Sequence, residues 1–209
     1  GVLSIFLVRV TALALTTFAA NGRAELASTG FLKAPNLNPF AVLAYTPSAE
    51  SAHLVPANMF EVALSHNIAN NFVTSTTENE VLTLDGESST SDVMLRYGLM
   101  SNLELSIALS HVRHSGGRLD GLISKWHRIF DLPNANREYV ADNQINYRLA
   151  VNSQERASVH ASVSGLGDTV LGVGFNLHSS LGQTITVRSS LSLPTGDAKD
   201  LLGGGTKAL

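Results

Sequence analysis

Cysteine is absent from the 209 residues, which excludes a disulfide framework, a thiolate metal site and a lipid-anchored N-terminal cysteine. Aromatic residues make up 6% of the chain, with a single tryptophan, so any interfacial aromatic girdle would be sparse. Charged residues are also few, at 15%, and their formal balance is only −3 with no Lys/Arg cluster. Nothing in that distribution points to a nucleic-acid partner. A long hydrophobic run is missing as well. Val10 to Ala20 is apolar and uncharged but is cut short by Arg9, whereas a membrane-crossing helix needs ~20 apolar residues.

That run, with Gly22 and Ala24 behind it, has the arrangement of a secretory signal cut after Ala24. The alternative is a membrane-anchor helix. Cutting there removes Arg9 and Arg23 and no acid, which takes the net charge from −3 to −5. Residues 1–24 are therefore expected to be a signal peptide that lacks its own start, since Gly1 is not Met. Residues 25–58, with Pro35, Pro39, Pro47 and Pro56, keep no sustained period. They read as an extended lead-in, either periplasmic or tucked into a barrel formed by residues 59–209.

What the chain does have is strict alternation of apolar and polar residues, in seven stretches. Phe60, Val62 and Leu64 oppose Glu61, Ala63 and Ser65; Val93, Leu95, Tyr97 and Leu99 oppose Asp92, Met94, Arg96 and Gly98. Leu103 to Leu109 oppose Glu104 to Ser110, and Ile145, Tyr147, Leu149 and Val151 oppose Gln144, Asn146, Arg148 and Ala150. A weaker stretch sets Val159, Ala161 and Val163 against Ser158, His160 and Ser162. Leu171 to Leu177 and Ile185 to Leu193 complete the set, with Gly172, Gly174 and Arg188 on the polar side. A period of two means strands with one greasy and one wet face, and rules against helix.

With Arg and Glu on the wet side and no helical layer available to cover the greasy side, the expected apolar solvent is lipid. The expected fold is an all-β, antiparallel transmembrane β-barrel, incomplete at about seven strands, with one short amphipathic helix in an outer loop. Glu61, Arg96, Glu104, Arg148, His160 and Arg188 are the candidate lumen-lining residues. A soluble β-sandwich would show the same alternation, with those residues on its solvent face.

Link lengths suggest a sidedness. The links at 100–102, 152–156 and 179–183 are short, while those at 67–90 and 114–143 are long, which places the short turns on one side of a membrane. The link 164–167 is short although it falls on the outer side. An odd strand count and an ending at Gly203 to Leu209, inside what reads as an outer loop, suggest truncation at both ends.

Asp120-Gly121-Leu122-Ile123-Ser124-Lys125-Trp126-His127-Arg128-Ile129-Phe130-Asp131-Leu132-Pro133-Asn134 resembles a segment of an uncharacterised bacterial envelope family, domain of unknown function 3187. Asn36-Leu37-Asn38-Pro39, Gly165-Leu166-Gly167-Asp168 and Leu193-Pro194-Thr195-Gly196-Asp197 agree with it, although the last two also occur in other outer-membrane barrels. The resemblance covers nearly the whole mature chain. It implies an outer-membrane barrel, with no activity to carry over, and a copy lacking the family's C-terminal strands.

Leu119, Leu122, Ile123, Trp126, Ile129 and Phe130 recur at helical spacing, with Asp120 as a candidate N-cap and Pro133 as a stop. The favoured expectation is a lid packed on the barrel mouth. The other is an interfacial helix whose Lys125, Trp126 and Arg128 touch lipid headgroups, including lipopolysaccharide phosphates. The oxygen-rich run Asp131, Asn134, Asn136, Glu138, Asp142 and Asn143 lacks EF-hand spacing and reads as turn formers. Gly203 to Lys207 has the wrong order for a phosphate loop.

His111 and His114 beside Ser110 and Ser115, with Glu104 to orient an imidazole, offer a hydrolase constellation without a nucleophile elbow. The expectation is a non-enzymatic outer-membrane protein without cofactor or metal, either a narrow channel for small or apolar solutes or a structural barrel. Its partners would be outer-membrane lipid and, during biogenesis, the barrel assembly machinery. An outer-leaflet lipid hydrolase or acyltransferase and a soluble periplasmic β-sandwich ligand binder are the alternatives.

Overall fold

Alternation becomes one antiparallel sheet in the computed structural model, which describes residues 35–43, 50–204 and 207–208. The expected signal peptide and its cleavage site lie outside the described residues. The strands are β1 (Phe60–Thr76), β2 (Glu80–Met100), β3 (Leu103–Ser115), β4 (Asn146–Val151), β5 (Gln154–Val159), β6 (Val163–Leu166), β7 (Thr169–Ser180), β8 (Gln183–Leu193) and β9 (Lys207–Ala208). The only α-helix among the described residues, α1, spans Asp120–Ile129. It is too short to cross a membrane, a fact that says nothing of crossing by strands.

Sheet order departs from chain order. The path runs β5-β4-β2-β3-β7-β8-β9, with β1 along the other edge of β2 and β6 on β3. The sheet does not close on itself among the described residues. The long β2 makes this order possible. Its lower part pairs with β3 from Glu87 to Met100, while its upper part, Glu80 to Asp85, pairs with β4. The stretch carrying β4 and β5 therefore joins the sheet as an annex on upper β2, and β6 returns to upper β3.

Three sequence expectations are corrected here. The span 67–90 is no loop: β1 and β2 continue through it as one hairpin, paired in register from Phe60↔Tyr97 to Thr76↔Val81. The turn at 152–153 lies beside Asn79, whose carbonyl accepts the Asn152 N–H at 2.7 Å, at the opposite end from the turns at 101–102 and 181–182. The expected one-sided parity of short links therefore fails, because β4 starts level with Asp85 and climbs away from those turns. Residues 207–208 pair with β8 as a ninth strand, where the sequence suggested only loop.

The faces of the long strands divide as the alternation requires. On one face, register aligns Phe60, Tyr97, Leu105 and Val173 in one row and Val62, Leu95, Ile107, Leu171 and Leu191 in the next. Leu64, Val93 and Leu109 form a third row. Most of these side chains are exposed, and we call this the open face. The opposite face carries Glu61, Arg96, Glu104 and Arg188, and it is covered by the chain's own segments 50–57 and 194–202. The usual polarity of a globular sheet is thus inverted.

Candidate functional site

The lower part of the covered face is an ion cluster. Glu104 is 1% exposed and its neighbour Arg96 only 12%. Arg96 donates through Nη2 to Glu50 Oε2 at 2.7 Å and through Nη1 to Glu61 Oε1 at 3.0 Å. Arg188 Nη1 donates to Glu104 Oε1 at 2.5 Å, and Arg96 Nε lies 3.8 Å from the same oxygen. Two guanidinium groups thus meet three carboxylates, each from a different strand or from the lead-in.

The cluster also fixes the lead-in. Glu104 Oε2 accepts the Val55 N–H at 2.8 Å, and Arg188 Nη2 donates to the Ser51 carbonyl at 3.1 Å. Thr186 Oγ1 donates to the Ala52 carbonyl at 2.5 Å, and the Asn58 N–H reaches the Gly98 carbonyl at 2.7 Å. Gly98 is required here, because a Cβ would overlap the carbonyl oxygens of Val55 and Pro56. Gly174 similarly leaves room for the Arg188 guanidinium and Leu54. Residues 50–58 of the lead-in lie along the covered face of the sheet.

Above the ions sits a mixed layer. Leu84, Tyr147, Val159 and Leu201 form a buried cluster. Ser88 joins the Nδ1 of His114 at 2.9 Å and the hydroxyl of Tyr147 at 3.2 Å, while His114 Nε2 donates to the Leu201 carbonyl at 3.1 Å. Asn71 Nδ2 donates to Ser88 at 3.2 Å. Burial holds the Tyr147 phenol above its usual pKa, so it stays neutral.

The loop after β8 closes this layer from above, and a clasp between two of the sequence motifs holds it. Thr195 Oγ1 donates to the Gly167 carbonyl and accepts the Thr169 N–H, both at 2.8 Å. Asp168 accepts the N–H groups of Gly196 at 3.0 Å and Gly204 at 2.7 Å. Sequence reading weighed the Gly-Asp and Pro-Thr-Gly-Asp pieces singly and missed that each completes the other. Shared turn chemistry around an acidic residue was the available signal.

Of the candidate lumen residues, the structure brings together Glu61, Arg96, Glu104 and Arg188 and leaves out Arg148 and His160. Arg148 pairs with Glu155 at 3.2 Å on the annex, with side chains 47% and 48% exposed. A hydrogen bond from Ser158, then Arg148 itself, lowers the Glu155 pKa. The fourth stretch is turned over because Tyr147 pairs with Leu84 and must face the buried cluster, which sends Arg148 to solvent. His160 is exposed in the link after β5.

The hydrolase constellation is not assembled as expected. Glu104 and His114 are ten residues apart on one strand, or ~33 Å at ~3.3 Å per residue. His114 engages Ser88, not Ser110 or Ser115, and His111 faces the opposite way, opposite Ser91 on the open face.

Lys125, Trp126 and Arg128 are exposed on α1. The lid expectation fails, because Leu122, Trp126, Ile129 and Phe130 are all exposed instead of packed. Asp120 is no N-cap either. It accepts from Asn70 Nδ2 at 2.8 Å, Arg137 Nη1 at 2.9 Å and the Asn143 N–H at 2.7 Å. The N–H groups of Arg118 and Leu119 go to Glu87 Oε1 instead, as carboxylates favour at a helix start. No group of His, Asp or Glu suited to a metal occurs among the described residues.

Fold and site define an antiparallel β-sheet protein with one exposed apolar face and one charged face covered by the chain's own segments. The family described as "Protein of unknown function (DUF3187)" matches residues 6–207, and the chain belongs to it. Searches of curated proteins and of solved structures find no match.

Proposed function

We propose that this chain is an outer-membrane β-barrel protein, exported by its N-terminal signal and inserted by the barrel assembly machinery, whose role is structural or that of a closed narrow channel. The observation that carries the reading is the inverted polarity: rows of Phe60, Leu105, Val173 and Val187 stand exposed while Glu104 is buried. In water such a face would be an unusually large apolar patch. Against acyl chains it is the expected exterior of a barrel. An unpaired sheet edge in lipid leaves backbone groups costing several kcal/mol each, so the reading requires further pairing at β1 and at the β8 side.

The interior favours the closed form. Residues 50–57 cross the covered face with the carbonyls of Ser51, Ala52, His53 and Pro56 engaged, and the cluster's charges are paired among themselves. Paired charges lock an interior, whereas unpaired ones would set ion selectivity. The test takes the full-length protein. Recovery in the outer-membrane fraction, heat-modifiable gel migration and near-zero conductance in planar bilayers are expected. A freely soluble periplasmic product would end the membrane reading, and a steady open current would end the closed one.

The hydrolase alternative has lost its expected geometry. It regains standing only if lipid hydrolysis is measured and is lost in His111→Ala.

A further inference from the structure

α1 is inverted in the same sense as the sheet. Its protein-facing side is Asp120, Ile123, Ser124 and His127, spaced at i, i+3, i+4 and i+7, all buried or half-buried and apolar only at Ile123. Its outward side is Leu122, Trp126, Ile129 and Phe130, with Leu122 63% and Trp126 56% exposed. In an aqueous protein the amphipathic stripe turns toward the core. Here it turns away from it, and the cations Lys125 and Arg128 flank the outward stripe.

The anchor says where this helix hangs. Asn70 and Phe72 belong to the open face, because they share parity along β1 with Phe60, Val62, Leu64 and Ile68. Asn70 holds Asp120 at 2.8 Å, and the guanidinium of Arg137 lies 4.4 Å from the Phe72 ring centroid. α1 is therefore fastened on the open side of the β1–β2 hairpin and not over the covered face. The continuous apolar rows stop at the polar row His66, Ser91 and His111, and the next row, Ile68, Ser89 and Arg113, is apolar only at Ile68. From His66 to Asn70 is ~13 Å along a strand, or ~9 Å in height at ~45° tilt. That is the depth of a headgroup layer.

We infer that α1 lies on a phosphate-bearing lipid surface, its stripe among the upper acyl segments and Lys125 and Arg128 on the phosphates. The inference rests on the membrane reading above and adds to it a contact that sheet insertion does not require. Trp126 is the single tryptophan of the 209 residues, so once any tryptophan beyond them is replaced by phenylalanine, fluorescence reports this helix alone.

The full-length protein is reconstituted in vesicles of zwitterionic lipid, with and without anionic phospholipid, and insertion is verified by heat-modifiable migration. A blue-shifted Trp126 emission is expected, quenched by lipids labelled near the headgroup and shielded from aqueous iodide. Lys125→Gln and Arg128→Gln should each lower the docked-to-free ratio roughly fivefold in anionic vesicles and much less in zwitterionic ones. Inserted protein whose Trp126 stays solvent-like overturns this inference alone. Shielding that ignores lipid composition and rises with protein concentration, as for contact with a second copy, also overturns it. Failure to insert at all overturns the membrane reading with it.

Discussion

Replacing Glu104 by alanine puts the charged interior to its strictest test. The carboxylate receives Arg188 Nη1 at 2.5 Å and the Val55 N–H at 2.8 Å, with Arg96 Nε at 3.8 Å. Without it, Arg188 retains Glu50 at 3.7 Å and Arg96 retains Glu50 and Glu61, so two cations share two anions at poorer geometry. Removing one partner of a buried pair costs ~3–5 kcal/mol. Partial water access to Arg188, whose side chain is 22% exposed, brings the expected loss to the lower end, about 3 kcal/mol. Glu104→Gln keeps the shape, but its single amide oxygen can accept from Val55 or from Arg188 and not both, and its NH2 then faces the other donor, so a loss of ~2–3 kcal/mol is expected. The assay is urea unfolding of the full-length protein in detergent micelles, read as a midpoint shift at constant slope. Arg148→Ala serves as control: its ion pair is half exposed and should contribute ~0–1 kcal/mol. Equal losses for Glu104→Ala and Arg148→Ala would refute the idea that the cluster is screened from water.

Three further outcomes are expected. Leu105→Arg, on the open face between Tyr97 and Val173, should cost ~2–4 kcal/mol of folding into bilayers; a change within ~0.5 kcal/mol, as for an ordinary surface site, would count against lipid contact. Gly98→Ala places a methyl group against the Val55 and Pro56 carbonyls and should release residues 50–57 to limited proteolysis while the sheet stays resistant; an unchanged digest refutes the docking. Asp168→Ala removes the acceptor of the Gly196 and Gly204 N–H groups and should cost ~1–3 kcal/mol, with amide exchange rising first in residues 196–204.

Face was legible in the sequence and neighbourhood was not. Along β1, β2, β3, β7 and β8 a period of two sorted Phe60 from Glu61 and Leu105 from Glu104, because each strand keeps one environment per face. It failed where environments change along a strand. Asn67, Asn70 and Asn71 break the alternation on β1 and Ser88 to Thr90 are polar on both sides of β2, so the hairpin reads as a loop although its backbone ladder continues. Tyr147 and Arg148 were assigned to the wrong sides because their facing depends on β4 meeting upper β2, a contact more than sixty residues away in sequence. The ion cluster was legible as charged residues on one face. That Glu50 and residues 51–57 complete it was not, since an aperiodic segment carries no sign of what it will cover.

The reach of the β1–β2 hairpin has a consequence for recognition. On the membrane reading, crossing a bilayer takes ~9–11 residues of strand, and β2 has 21. About eleven of them, above the row of His66, Ser91 and His111, or roughly 36 Å of ribbon at ~3.3 Å each, would then stand clear of the hydrocarbon, with the 77–79 turn at the summit. A visiting antibody or virus would meet that summit before anything else. Because its residues are remote from the salt-bridged floor, the summit could change its identity without loosening the molecule's anchorage.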